Sequence, residues 1–195
     1  MKVIGLTGGI GMGKSTAAAA FRRARIPVFD ADAAVHALQA RGGAAVAPID
    51  AAFPGTIRDG AVDRPALRAA VLGKPEELRR LERLMHPLVR AAEQRFLARA
   101  RRARRRAVVL DIPLLLETGG EARVDTVVVV SAPAAVQRQR VRRRGRMTEA
   151  EIDSVLARQM PDAEKRRRAD VVVRTGLSRH HAQRQLRRLI QGLLQ

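Results

Sequence analysis

Gly8-Gly9-Ile10-Gly11-Met12-Gly13-Lys14-Ser15 matches the pattern G-x-x-x-x-G-K-[ST], and its flanks restrict what the chain can fold into. Val3-Ile4-Gly5-Leu6 before it has the character of a buried strand, and Thr16-Ala17-Ala18-Ala19-Ala20-Phe21 after it that of a helix. A strand, a glycine-rich loop and a helix in that order form an anion cradle. The loop's backbone N–H groups and the positive end of the helix converge on one point, where polyphosphate oxygens bind. Gly11, Met12, Gly13, Lys14, Ser15 and Thr16 are therefore the expected phosphate contacts, with Lys14 bridging terminal phosphates and the Ser15 hydroxyl ligating Mg²⁺. For the bare pattern, a glycine-rich turn with an exposed lysine is the alternative; the flanking strand and helix argue against it.

A chain of 195 residues suits one domain with an inserted subdomain. It has no apolar run long enough to span a bilayer, and it opens on Lys2 and a strand rather than a signal peptide, so a cytoplasmic protein without a membrane partner is expected. The absence of cysteine excludes disulfides and thiolate metal chemistry. A net charge of +19, concentrated in arginines at Arg101–Arg106, Arg138–Arg146 and Arg166–Arg168, suggests a polyanionic partner. ATP-like polyphosphates need only a local cluster, and an arginine-rich background explains the rest. With four Phe and neither Tyr nor Trp to stack on bases, no nucleic-acid partner is expected.

Ile26-Pro27-Val28-Phe29 forms a second short strand ending in Asp30-Ala31-Asp32, which puts acids at a strand's C-terminal end, where ligands bind in open parallel sheets. Strand character returns at 107–110, 126–130 and 171–173, with helices at 134–144, after the capping box Thr148-Glu149-Ala150-Glu151, and at 178–194. The expected fold is α/β, a parallel sheet covered by helices on both faces. Residues 33–106 show no clear strand and look like a helical insertion, with Asp63 as a cap and a long helix over 76–102 that should kink at His86-Pro87.

Several separated segments together resemble the dephospho-CoA kinase family: Leu6 through Thr16, Asp30-Ala31-Asp32, His86-Pro87, Asp111-Ile112-Pro113-Leu114-Leu115-Leu116-Glu117 and Ala169-Asp170. The resemblance implies a P-loop kinase with a five-stranded parallel sheet. Its core would be residues 1–32 and 107–195, including a lid at about 138–160, and residues 33–106 would be a helical domain for the CoA-like substrate. It implies transfer of the γ-phosphoryl group of ATP, with Mg²⁺, to the ribose 3′-hydroxyl of dephospho-CoA. The sequence departs from the family after the last strand, where Arg174-Thr175-Gly176 replaces a turn that often contains Asn.

On that footing Asp32 is the expected catalytic carboxylate and Asp30 the second choice, with a helix N-cap as the alternative role for either. Asp111 closes a strand and is expected to hold Mg²⁺, or else to cap the Pro113 segment or pair with an arginine. Arg140 and Arg144, four apart on one helical face, are candidates to present guanidinium groups to the phosphates; the resemblance favours Arg140 for the transferring charge, while most arginines of this run are solvated helix charge. Glu117 either anchors a substrate-side network or is exposed, His86 serves a structural turn or the substrate, and His180-His181 is a surface pair. Another small-molecule or nucleoside monophosphate kinase, and a nucleic-acid-stimulated ATPase, are the competing readings. A regulatory GTPase is set aside, because the chain has no asparagine for a guanine-reading Asn-Lys-x-Asp element.

Overall fold

The computed structural model describes residues 1–145 and 147–194, so Arg146, the last of the 138–146 arginines, lies outside the described residues. Its strands are β1 (Lys2–Thr7), β2 (Val28–Asp30), β3 (Ile57–Arg58), β4 (Ala61–Val62), β5 (Ala107–Asp111), β6 (Thr126–Ser131) and β7 (Val171–Arg174). Five of them form a parallel sheet in the order β2-β5-β1-β6-β7. The central strands are β-branched and buried on both faces, as a sheet with helices on each side requires. Leu6 pairs with Asp111 and Thr7 with Val129, so β1, β5 and β6 end along one edge and their following loops gather there.

Helices α1 (Lys14–Arg23), α2 (Ala31–Gln39), α3 (Val46–Ala52), α4 (Arg64–Val71), α5 (Pro75–Arg102), α6 (Ala134–Arg142), α7 (Glu149–Arg158), α8 (Asp162–Arg167) and α9 (Arg179–Leu194) complete the order. The alternation of side chains along β6 separates two cores. Val128 and Val130 pack with Phe21 of α1 and Leu186 of α9, whereas Val127 and Val129 pack with Leu115 and Leu116. Phe21 is fully buried, and truncating it to Ala would cost about 3–5 kcal/mol.

The chain divides into two compact units, residues 30–99 and the remainder. The smaller unit packs Ile49, Phe53, Leu67 and Met85 into its own core, and Asp63 caps α4 by accepting the Ala66 N–H at 3.1 Å. One feature departs from the sequence expectation: β3 and β4 form a hairpin in the segment expected to lack strands. Its turn places Asp59 at φ 52° and Gly60 at φ 75°, the left-handed pair that a two-residue hairpin loop demands. Helix α5 includes Pro87 in its interior. Pro87 deprives the Arg83 carbonyl of its donor, but Arg83 is exposed and water can replace the lost bond.

Candidate active site

The loop from β1 to α1 turns through left-handed backbone at Gly11 (φ 75°) and Gly13 (φ 97°), conformations that only glycine adopts without strain. Gly13 is the N-cap of α1 and offers no side chain to the first-turn N–H groups; the Thr16 N–H bonds the Gly13 carbonyl at 3.0 Å, and, among the described residues, those of Lys14 and Ser15 are left open to a ligand. The Met12 N–H closes the turn onto the Gly9 carbonyl at 3.1 Å, while no described residue accepts from the N–H of Gly11 or Gly13. Ser15 and Thr16 are exposed at the start of α1.

Lys14 reaches from this helix to the neighbouring strand, its Nζ 2.6 Å from Oδ1 of the buried Asp111 at the end of β5. Asp111 therefore pairs with Lys14, where an arginine partner or a cap was the sequence alternative to a metal role. Among the described residues no three His, Cys, Asp or Glu side chains cluster to cage a metal. One hydroxyl at Ser15 and one carboxylate at Asp111 are hard oxygen donors of the kind Mg²⁺ takes when phosphates and water complete its shell, so the residues fit that ion.

Side chains from outside the loop hold its outer surface. The Gln137 Nε2 donates to the Ile10 carbonyl at 2.9 Å, and Gln159 Oε1 accepts the Ile10 N–H at 3.0 Å. Thr175 Oγ1 donates to the Met12 carbonyl at 2.6 Å. Arg140 donates to the Thr175 carbonyl at 2.6 Å and to its hydroxyl at 3.0 Å, and extends to the Gly11 carbonyl at 3.4 Å. The Met12 side chain is buried and its sulfur accepts the Ala132 N–H at 3.0 Å, which ties the loop to the end of β6.

Sequence reasoning missed Gln137 and Gln159, and named Thr175 only within the turn after the last strand. The one available signal was Gln137 itself, an amide four residues before Val141 on the buried stripe of α6. Arg140 and Arg144 do not share a helical face, because α6 ends at Arg142. The Arg144 N–H turns back to the Val141 carbonyl at 3.1 Å, and Gly145 follows at φ 62°, so the helix closes in a glycine stop and Arg144 is left exposed. Arg142 and Arg138 are engaged with α7. Arg142 holds Glu149 through two bonds of 2.6 and 2.8 Å, and Arg138 pairs with Asp153. The Arg142 hydrogen bond holds the Glu149 carboxyl below the usual glutamate range.

Glu117 is an anchor rather than an exposed acid: it accepts the Met160 N–H at 3.0 Å and lies 2.6 Å from the ammonium of the buried Lys165, fixing the joint between α7 and α8. Of Asp30 and Asp32, Asp30 takes the helix-capping role. Asp30 is the N-cap of α2, accepting the Ala33 N–H at 3.0 Å, whereas Asp32 is exposed in the first turn and its carboxylate makes no hydrogen bond or ion pair with any described residue. His86 is exposed on α5 and His180 on α9.

A family model described as dephospho-CoA kinase matches residues 2–179. A dephospho-CoA kinase of Paramagnetospirillum magneticum is 67% identical over 166 residues, which span 85% of this chain and 78% of that one. The dephospho-CoA kinase of Gluconobacter oxydans is 54% identical over 197 residues, 99% of this chain and 98% of that one. Among solved structures, a Thermus thermophilus protein superposes with a TM-score of 0.87 at 34% identity, covering 100% of this chain and 98% of its own. A dephospho-CoA kinase from Campylobacter jejuni shares the fold at a TM-score of 0.75 and 22% identity, covering 99% and 98%. With the phosphate loop, the parallel sheet and these relatives in agreement, the chain belongs to the dephospho-CoA kinase family.

Proposed function

We propose that this chain transfers the γ-phosphoryl group of ATP to the ribose 3′-hydroxyl of dephospho-CoA, giving coenzyme A and ADP. The observation that carries the reading is the convergence at the end of β1 of acceptor-free N–H groups at Gly11 and Gly13, the Lys14 ammonium and the exposed Ser15 hydroxyl. Family membership supplies the acceptor. Mg²⁺, when bound, neutralises charge on the donor phosphates, and the Ser15 hydroxyl and Asp111 carboxylate are the side chains assigned to it.

Phosphoryl transfer asks a protein chiefly for positioning and charge stabilisation. The loop N–H groups orient the donor, with Gly11 through Thr16 as its contacts, and Lys14 stabilises negative charge that grows on the transferring group. Asp32 accepts the proton of the attacking hydroxyl; its exposed carboxylate, unlike that of Asp30, is not engaged as a helix cap. Arg140 neutralises transferring charge and Arg144 adds a phosphate contact when the segment of about 138–160 closes as a lid. Residues 33–106 are assigned to the CoA-like substrate, and ATP and dephospho-CoA are the partners. No described helix is long and apolar enough to cross a membrane.

A coupled ATP-to-ADP assay with dephospho-CoA, adenosine, AMP and pantetheine derivatives side by side tests the reading. Turnover with dephospho-CoA alone is expected; preference for another acceptor would reassign the chain within the small-molecule kinases.

A further inference from the structure

The phosphate loop is held by side chains that sequence motifs do not mark, and the polarity of the peptide group gives their arrangement a consequence. In a planar trans peptide the C=O and the following N–H point in opposite directions. Fixing a carbonyl on the outer side of the loop therefore fixes the next N–H on the inner side. Gln137 holds the Ile10 carbonyl, whose peptide partner is the Gly11 N–H, and Thr175 holds the Met12 carbonyl, whose partner is the Gly13 N–H. Those two N–H groups have no acceptor among the described residues.

The fit is close on both sides. A Cβ on Gly9 would lie 3.1 Å from both the Gln137 Nε2 and the Gln159 Oε1, and one on Gly11 would lie 2.9 Å from the Gln137 carbonyl and 2.8 Å from Val141. Gln159, the C-cap of α7, takes the Ile10 N–H, so both polar groups of Ile10 are held by glutamine amides from two different helices.

We infer that Gln137 and Thr175 are positioning residues that form an outer brace on the phosphate loop, holding the Gly11 and Gly13 N–H groups toward the polyphosphate, while Gln159 anchors the same loop at the Ile10 N–H. The proposal rests on the nucleotide reading of the loop but not on the identity of the acceptor. The brace acts through the peptide planes. Donors already aimed need no reorganisation when the phosphates arrive, which is what makes backbone N–H groups effective against developing charge. Without the brace those peptides can rotate, and each phosphate contact then bears an ordering cost.

The test is ATP affinity by calorimetry on the full chain without an acceptor, with melting temperature and steady-state KM values beside it. Thr175→Val removes the hydroxyl at constant shape and is expected to weaken ATP about tenfold, the loss of roughly one hydrogen bond's worth of orientation. Thr175→Ser restores the donor and should bind ATP within about twofold of wild type on the same reasoning. In Thr175→Val the KM for ATP should rise while that for dephospho-CoA stays unchanged. Gln137→Met should behave like Thr175→Val, and carries the comparison if that variant does not fold. Unchanged ATP affinity in Thr175→Val, with or without a lower melting temperature, overturns the proposal, as does failure of Thr175→Ser to restore binding. A wild-type chain that binds ATP yet leaves dephospho-CoA unphosphorylated would instead defeat the proposed function and leave the brace standing.

Discussion

Lys14 Nζ lies 2.6 Å from Asp111 Oδ1, so the cation of the phosphate loop is paired with a carboxylate on the adjacent strand. A buried carboxylate deprived of its cation costs stability, whereas neutralising both partners together relieves much of that cost. Lys14→Met should therefore lower the melting temperature and reduce kcat by about 100-fold or more. Lys14→Met combined with Asp111→Asn should regain much of the melting temperature but none of the activity. Recovery of turnover in the double variant would show that the lysine serves the fold alone.

Asp32 and Asp30 are separated by one residue and by what each carboxylate does: Asp30 caps α2, and Asp32 stands exposed in its first turn. Asp32→Asn should fold and bind ATP normally yet lose most of kcat, because the amide cannot accept the hydroxyl proton. Asp30→Asn keeps a good capping group and should leave kcat close to wild type. The reverse pattern, with kcat lost in Asp30→Asn and kept in Asp32→Asn, would exchange the two assignments.

Arg140 shares its guanidinium between Thr175 and the Gly11 carbonyl, which keeps a cation beside the phosphate loop. On the proposed closure of residues 138–160, a charge that meets the phosphates only then acts mainly in the transition state, so Arg140→Ala should lower kcat more than it raises the KM for dephospho-CoA. Arg138 and Arg142, engaged with Asp153 and Glu149, should be far less sensitive to the same substitution. Equal KM effects at all three positions, with kcat unchanged, would reduce them to generic attraction.

The sheet was legible because its strands are short β-branched runs that need burial on both faces, and the loop because glycine and lysine spacing there is dictated by phosphate geometry. The β3–β4 hairpin was not legible: strands of two residues show no alternation, and Asp59-Gly60 reads equally well as any turn. The end of α6 was obscured because arginine continues from 142 to 144 and charge alone does not mark where helical hydrogen bonding stops. Gln137, Gln159 and Thr175 lie 127 to 163 residues from the loop atoms they hold, and no local pattern encodes a contact at that range.

The Arg142–Glu149 pair joins the end of α6 to the start of α7, and its hydrogen bond depresses the Glu149 pKa. A depressed carboxyl contributes stability above the ordinary glutamate range and loses it as pH falls through the lowered value. Glu149→Gln should thus melt slightly below wild type near neutral pH, and the two curves should converge on acidification. The pair is exposed, so added salt should shrink the difference as well. A gap that persists in acid and in high salt would mean that Glu149 stabilises this hairpin by packing.

The charge of +19 is the remaining feature with more than one physical reading. The described arginines are spread over α1, α4, α5, α6, α7, α8 and α9 among the helices, and several are already committed within the fold: Arg138 and Arg142 to α7, Arg166 to Asp162, Arg168 to Glu121. Four Phe, of which Phe21, Phe29 and Phe53 are buried, leave scant surface for stacking bases. Oligonucleotide binding should therefore depend on counterion release alone, appear at low salt and fall steeply as salt is added. Titration with duplex and single-stranded oligonucleotides at physiological ionic strength, with ATP turnover followed in parallel, is expected to show negligible binding and no stimulation. Sub-micromolar binding that resists salt, or turnover that requires the oligonucleotide, would establish nucleic acid as a functional partner and favour the ATPase reading over the kinase.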